Sequence, residues 1–239
     1  VPQDFFQFKQ FTVRQGRSAM KVSTEACVLG GLCAQEAAAP LRILDIGAGT
    51  GLLSLMLAQA FSQASVEAVE IEAAAFGQCQ ENFAQSPWAN RLQAHLADIA
   101  AFRPAQPYDF IVSNPPFYDK HLPSSQAARQ IALHTDTLPF EVLAAALATL
   151  LAPQGQAAVL LPLQAANTFG ALAIKAGLHC QKRVYLYQYE GRSKPFREVS
   201  FWGKQQVSPK EAHLFFKNQN QSHYSEDFKA LLKAYYLYL

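Results

Sequence analysis

Residues 41–59 constrain this chain more than any other stretch. Leu41-Arg42-Ile43-Leu44-Asp45-Ile46 is a short apolar run of strand length. Gly47-Ala48-Gly49-Thr50-Gly51 follows at once, and the apolar residues 52–59 read as a helix behind it. Glycines permit positive φ and let a ligand approach the backbone closely. The free N–H groups at a helix start favour a negative group nearby. Strand, glycine turn and helix in direct succession predict a βα unit, hence an α/β fold with helices on both faces of a mostly parallel sheet.

The next strands supply polar groups at their ends. Residues 65–71 form an apolar strand ending on Glu70, 19 residues past Gly51. A carboxylate at that distance accepts both hydroxyls of a ribose. Residues 73–85 are helical, with Phe76, Cys79 and Phe83 at core spacing. The third strand, 91–96, leads into Ala97-Asp98-Ile99. Asp98 either caps a helix or accepts from an adenine amine. The turn is G-x-G-x-G behind an acid, and a pyrophosphate usually takes the longer G-x-G-x-x-G. Asp45 beside the turn repels a pyrophosphate and suits an ammonium group. S-adenosylmethionine carries an ammonium and no phosphate, so it is expected in preference to a nicotinamide dinucleotide.

The fourth strand, 108–113, runs into Asn114-Pro115-Pro116-Phe117. Neither proline offers an N–H, so the strand ends there. Asn114, preceding a proline, is held extended. The rigid corner presents an amide, two carbonyls and an aromatic face. That set holds a planar group bearing an NH2, by accepting its hydrogens and stacking on its face. A Pro-Pro turn with a core Phe is the plainer alternative. Doubly wound sheets bind ligands outside the carboxyl ends of their strands, which puts the corner beside the cofactor's reactive carbon. A long polar connection, 118–136, follows; loops of that length are usually functional or mobile.

The rest completes the sheet. Residues 141–151 and 164–176 read as helices, with a buried strand at 156–161 between them. Alternating strands at 183–189 and 198–202, joined by a basic turn, suit an antiparallel hairpin at the sheet edge. Ser225 caps a helix reaching Tyr236, with Phe228, Leu231, Leu232 and Tyr235 as its apolar stripe. At the other end, residues 5–14 alternate as a strand, with Phe6, Phe8 and Phe11 packed and Lys9 and Arg14 outward. That strand either seals the domain edge or contacts RNA. Ser23 or Thr24 caps a helix beginning near Glu25 and ending by Pro40.

At 239 residues, 50% hydrophobic, the chain suits one domain: a core preceded by an extension over about 1–40 and closed by a helix over about 224–239. No apolar run is long enough to span a membrane, and no signal peptide begins the sequence. Four scattered cysteines, Cys27, Cys33, Cys79 and Cys180, predict buried thiols in a reducing cytoplasm, with neither disulfide nor metal site. Charge is uneven. Residues 1–21 hold four Lys/Arg against one acid, 182–239 ten against five, and the middle six against twelve. Basic flanks around an acidic centre are what a phosphate-backbone partner requires.

Several motifs go further. Phe8-Lys9-Gln10-Phe11, Met20-Lys21-Val22-Ser23-Thr24, Asp45-Ile46-Gly47-Ala48-Gly49-Thr50-Gly51, Glu81-Asn82-Phe83-Ala84-Gln85-Ser86-Pro87-Trp88-Ala89, Asn114-Pro115-Pro116-Phe117, and the tail from Tyr224-Ser225-Glu226 to Tyr235-Tyr236-Leu237 resemble the bacterial tRNA1(Val) adenine-N6 methyltransferases. These are class I enzymes that modify the adenosine 3′ of the anticodon, tRNA position 37. Phe117 stands where close relatives carry Tyr, Glu25 where Asp is usual, and Leu133 where Arg is expected. The resemblance implies a Rossmann-like seven-stranded methyltransferase sheet. It implies catalysis by Asn114, Pro115 and Phe117. The implied cofactor set is Lys21, Thr24, Asp45, Gly47, Ala48, Gly49, Glu70, Ile71, Asp98, Ile99 and Asn114. The partner implied is the anticodon stem-loop of tRNA, bound by a monomer. Lys9, Arg14, Arg17, Arg192, Lys194 and Arg197 are the candidates for its backbone. The same corner would serve another acceptor, an rRNA adenine or guanine amine or a protein glutamine. A non-catalytic RNA-binding protein on this fold is the alternative of another class.

Overall fold

The computed structural model describes residues 4–18, 20–116 and 138–239. Phe117 and the connection after it, Leu133 included, lie outside the described residues. Among them run β1 (Phe5–Gln7), β2 (Thr12–Arg14), α1 (Thr24–Glu36), β3 (Arg42–Ile46), α2 (Leu52–Ala60), β4 (Ser65–Glu70), α3 (Ala73–Ala84) and β5 (Leu92–Leu96). Then come β6 (Tyr108–Ser113), α4 (Phe140–Leu150), β7 (Leu151–Leu161), α5 (Leu163–Lys175), β8 (His179–Tyr189), β9 (Arg197–Gly203), β10 (Lys210–Lys217) and α6 (Glu226–Leu232).

The central sheet has the order β10-β8-β9-β7-β6-β3-β4-β5. Strands β3 to β7 are parallel, and only β9 opposes its neighbours. The chain winds outward through β4 and β5, then crosses back to β6 and β7. The switch in strand order therefore falls between β3 and β6, where such sheets leave a crevice. Ser113 Oγ, fully buried, donates to the Ile46 carbonyl at 2.9 Å and ties those two strand ends together.

Both faces are covered, so the inner strands are apolar throughout. Leu44, Ile46, Ile111 and Val159 pack beneath α4 and α5; Ile43, Val66, Phe110 and Val112 pack beneath α1 and α2. Helix α1 is buried from Ala26 to Cys33. Its two glycines allow that depth: a Cβ on Gly30 would lie 2.6 Å from Met56 Sδ, and one on Gly31 2.8 Å from Leu231 Cγ. Ser23 Oγ caps the helix by accepting from the Ala26 N–H. All four cysteines are buried and free, and burial pushes the Cys27 thiol up to about 12.

Four expectations are corrected. The sheet has eight strands, because residues 210–217 form β10 parallel to β8. The β8–β9 hairpin is antiparallel as expected but does not close the edge, which β10 occupies. The stretch 5–14 is a hairpin, not one strand: β1 pairs antiparallel with β2 around a tight turn, the Phe8 N–H donating to the Phe11 carbonyl at 2.8 Å. Its rings pack inward against Tyr236 and Trp88. The last helix ends at Leu232, and the chain then turns so that the Lys9 N–H donates to the Tyr235 carbonyl.

Candidate active site

The glycine turn leaves β3 with Gly47, Gly49 and Gly51 all at positive φ: +71°, +57° and +79°. Two of these positions have different reasons to lack a side chain. A Cβ on Gly51 would meet Phe83 at 2.6 Å and Cys79 at 2.8 Å, so this glycine lets α3 close against the start of α2. A Cβ on Gly47 would meet nothing within 4 Å. That leaves open space over the backbone at the carboxyl end of β3. The turn is anchored from β4, the Gly47 N–H donating to the Val69 carbonyl at 2.9 Å.

Glu70, at the end of β4, holds the turn from the side. Its Oε2 accepts from the Gly49 N–H at 2.8 Å, and Oε1 accepts from the Ile71 and Glu72 N–H groups. A carboxylate oxygen has room for two donors, so Oε2 keeps a lone pair for a hydroxyl. Asp98 is exposed, and its Oδ1 accepts from the Ala100 N–H at 2.9 Å in a turn after β5. Ile99 packs into the core, whereas Ile71 and Leu96 stand 53% and 51% exposed at the ends of adjacent strands. Leu96 is paired with Glu70 across β4 and β5, and Ile71 follows Glu70 in the chain.

Asp45 is fully buried. Its Oδ2 accepts from the Ser54 N–H at 3.1 Å and the Ser54 hydroxyl at 2.7 Å; Oδ1 has no hydrogen-bond partner. Burial pushes the carboxyl up to about 7, with the Ser54 bonds opposing and the Glu70 charge adding to the rise. The native protein thus holds a proton between about pH 4 and 7 that the unfolded chain releases. Stability from this group falls as pH rises through that window, because the unfolded carboxylate is free to ionise. Asp45→Asn is expected to match the wild type near pH 4 and to exceed it by about 4 kcal/mol above pH 7, three pKa units at 1.36 kcal/mol each. Urea midpoints of the ligand-free proteins at both pH values check this; parallel curves would remove the buried acid.

A small pocket joins these elements. The glycine turn and Leu53 wall one side, Met20, Lys21 and Val22 another, and Asn114 closes it. Asn114 is half-buried and Pro115 buried. The segment carrying Met20 to Val22 is held down by Gln15, whose Oε1 accepts from the Val22 N–H at 2.8 Å while its carbonyl accepts from Lys21 Nζ. Met20 and Val22 were missed in the sequence; their signal was only the neighbouring Lys21. Thr24 does not line the pocket and instead shares a hydrogen bond with the Tyr236 hydroxyl.

The basic candidates separate into two groups. Lys9 Nζ donates to the Lys233 carbonyl, Arg14 Nε to Gln85 Oε1, and Arg17 pairs with Glu81. These three lie along the N-terminal segment and α3. Arg192 and Lys194 are exposed in the β8–β9 turn, with Arg197 over the Phe196 ring at 5.6 Å. Both β7 and β8 run antiparallel to β9, so β8 points the same way as β6 and β7. Its turn therefore lies on the same edge of the sheet as Gly47 and Asn114. Among the described residues, no group of three or more His, Cys, Asp or Glu is placed to hold a metal ion, and no helix is long and apolar enough to cross a membrane.

Residues 32–137 match the family description "Methyltransferase small domain". The chain is 41% identical over 235 residues to the tRNA1(Val) (adenine(37)-N6)-methyltransferase of Dyadobacter fermentans, covering 97% of both proteins. It is 40% identical to the enzyme of that name from an Enterobacter species, covering 99% of this chain and 96% of the relative. Among solved structures, a predicted O-methyltransferase from Agrobacterium tumefaciens superposes with a TM-score of 0.62 at 18% identity, over 87% of this chain and 95% of that one. At that identity the superposition shows the fold alone, a Rossmann-like methyltransferase sheet.

Proposed function

The chain belongs to the tRNA1(Val) (adenine(37)-N6)-methyltransferase family, and from that membership we propose how its residues methylate N6 of the adenosine 3′ of the anticodon. Its cofactor is S-adenosylmethionine, which when bound supplies the electrophilic methyl group. The residues fit it on two counts, open space over Gly47 and a spare lone pair on Glu70; Asp45, expected beside an ammonium group, is instead buried against Ser54 and does not line the pocket. Glu70 takes the ribose, Ile71 and Leu96 flank the adenine, Asp98 its amine, and the backbone of Gly47 to Gly49 the amino-acid end. The substrate is tRNA, met by a monomer at the anticodon stem-loop in the cytoplasm.

The observation that carries the catalytic reading is Asn114 in the wall of the glycine-turn pocket, at the switch in strand order. The target amine is a poor nucleophile because its lone pair is delocalised into the ring. Asn114 Oδ1 and the Pro115 carbonyl accept from its two hydrogens, which raises electron density on nitrogen and stabilises positive charge developing there. Phe117 stacks on the flipped base and fixes its angle of approach. No strong base is needed, since the methylated amine loses its extra proton to water. An anticodon-loop base is already partly unstacked, which lowers the cost of flipping.

Methylating unmodified tRNA with labelled donor and mapping the labelled nucleotide tests the assignment; label elsewhere than adenosine 37 would overturn it. Glu70→Ala is expected to weaken cofactor binding by roughly 10- to 100-fold, the loss of hydrogen bonds to a charged group. Glu70→Gln keeps one accepting oxygen but turns an NH2 against backbone N–H donors, so it should also lose affinity, though less than the alanine variant. Calorimetry distinguishes them, and unchanged affinity in both variants would remove Glu70 from the ribose.

A further inference from the structure

Strands β8 and β10 carry a ladder of rings outside the pocket. Partnered residues on neighbouring strands share a face. Tyr185 is opposite His213 and Tyr187 opposite Phe215, so all four rings stand together. Tyr185 and His213 stack at 5.7 Å, Tyr187 and Phe215 at 4.7 Å, and Tyr187 meets His213 at 5.6 Å. Helix α6 packs on the opposite face of β10 through Phe216 and Phe228. Helix α5 meets this face at Trp202, beside the far end of β8. His213 is exposed and Tyr185 and Phe215 half-exposed, while Tyr187 is buried between them.

Such rings have no need to be aromatic for the core, which the alternate residues Leu214 and Phe216 supply from the other face. The polar groups around them have a direction. At the carboxyl edge stand Lys217, Arg192 and Lys194, none in an ion pair among the described residues. Level with the Tyr185–His213 rung, Glu211 accepts from the Tyr185 hydroxyl at 3.2 Å, and Glu198, opposite Tyr185 on β9, pairs with Arg183. The Tyr187 hydroxyl and His213 Nδ1 share a hydrogen bond at 3.1 Å.

We infer that the Tyr185–His213–Tyr187–Phe215 ladder is a stacking platform for unpaired nucleotides flanking the target base, with their phosphates toward Lys217, Arg192 and Lys194. This rests on the reading of an RNA substrate given above. Stacked rings beside a basic rim are how proteins hold single-stranded nucleic acid. The distance also suits it. From β6, which carries Asn114, to β8 is three strand spacings, ~14 Å, and to β10 ~19 Å at ~4.8 Å per strand. About four to six stacked nucleotides, at ~3.4 Å each, cover that span.

Binding of a synthetic anticodon stem-loop to the full chain, with S-adenosylhomocysteine present, tests the platform by fluorescence anisotropy. His213→Ala and Tyr185→Ala should each raise Kd about tenfold, within the range for loss of one base–aromatic stack. His213→Tyr should restore affinity, which a purely structural role would not require. S-adenosylhomocysteine affinity and melting temperature should hold in all three. In the wild type, ultraviolet crosslinking should attach RNA to the peptides bearing Tyr185, Tyr187 or His213. If the wild type methylates tRNA but the alanine variants bind RNA equally well and no crosslink falls on β8 or β10, the platform is overturned and the function stands. That result is the one expected if the ladder instead met a protein. If the wild type neither binds nor methylates tRNA, both readings fall.

Discussion

Asn114→Ala is expected to lower turnover by about a hundredfold or more while leaving cofactor affinity close to the wild type, the cost of one hydrogen bond made chiefly in the transition state. The separation follows from position. Asn114 is one wall of the pocket, whereas the glycine turn and Glu70 supply most of the polar groups around it. Backbone geometry should survive, because Pro115 still holds residue 114 extended and Ser113 still ties β6 to β3. Asn114→Asp keeps an accepting oxygen and should retain more activity than the alanine variant. Single-turnover methylation with cofactor affinity measured by calorimetry separates the two quantities. Near-normal single-turnover rates in Asn114→Ala would sink this role for the amide.

How legible this site was depended on whether its residues announce themselves locally. The glycine turn did, because three glycines between an apolar strand and an apolar helix have few other uses, and their positive φ values bear that out. The acid at the end of β4 and the proline corner were legible for the same reason: each ends an apolar run. The N-terminal hairpin was not. Its turn uses Lys9 and Gln10, with no glycine, proline or asparagine to mark a reversal, so two short strands read as one. Strand β10 was missed because Phe215 and Phe216 are adjacent, which blurs the alternation between faces, and because its partner β8 ends some twenty residues earlier in the chain. Met20 reaches the pocket wall by tertiary placement alone.

Asn82 carries the largest expected loss of stability, and the reason lies in what it connects. It is 1% exposed in the last turn of α3. Its Nδ2 donates to the Arg14 carbonyl and to the Thr50 carbonyl, both at 2.8 Å, and its Oδ1 accepts from the Arg14 N–H at 2.9 Å. One side chain thus ties the N-terminal hairpin to the glycine turn by satisfying backbone groups of each. Asn82→Leu keeps the volume and removes all three bonds. A buried polar group left without a partner costs about 1–3 kcal/mol, so the variant should lose roughly 3–5 kcal/mol, a large share of the ~5–15 kcal/mol by which domains are stable. In melting temperature that is about 10 °C for a chain of this length. Asn82→Asp retains the accepting oxygen but faces two carbonyls with a carboxylate. It should be the less stable variant at neutral pH and recover toward pH 4, where a proton restores one donor. Urea midpoints at the two pH values measure both. A midpoint within error of the wild type for Asn82→Leu would show that hairpin and turn hold their places independently.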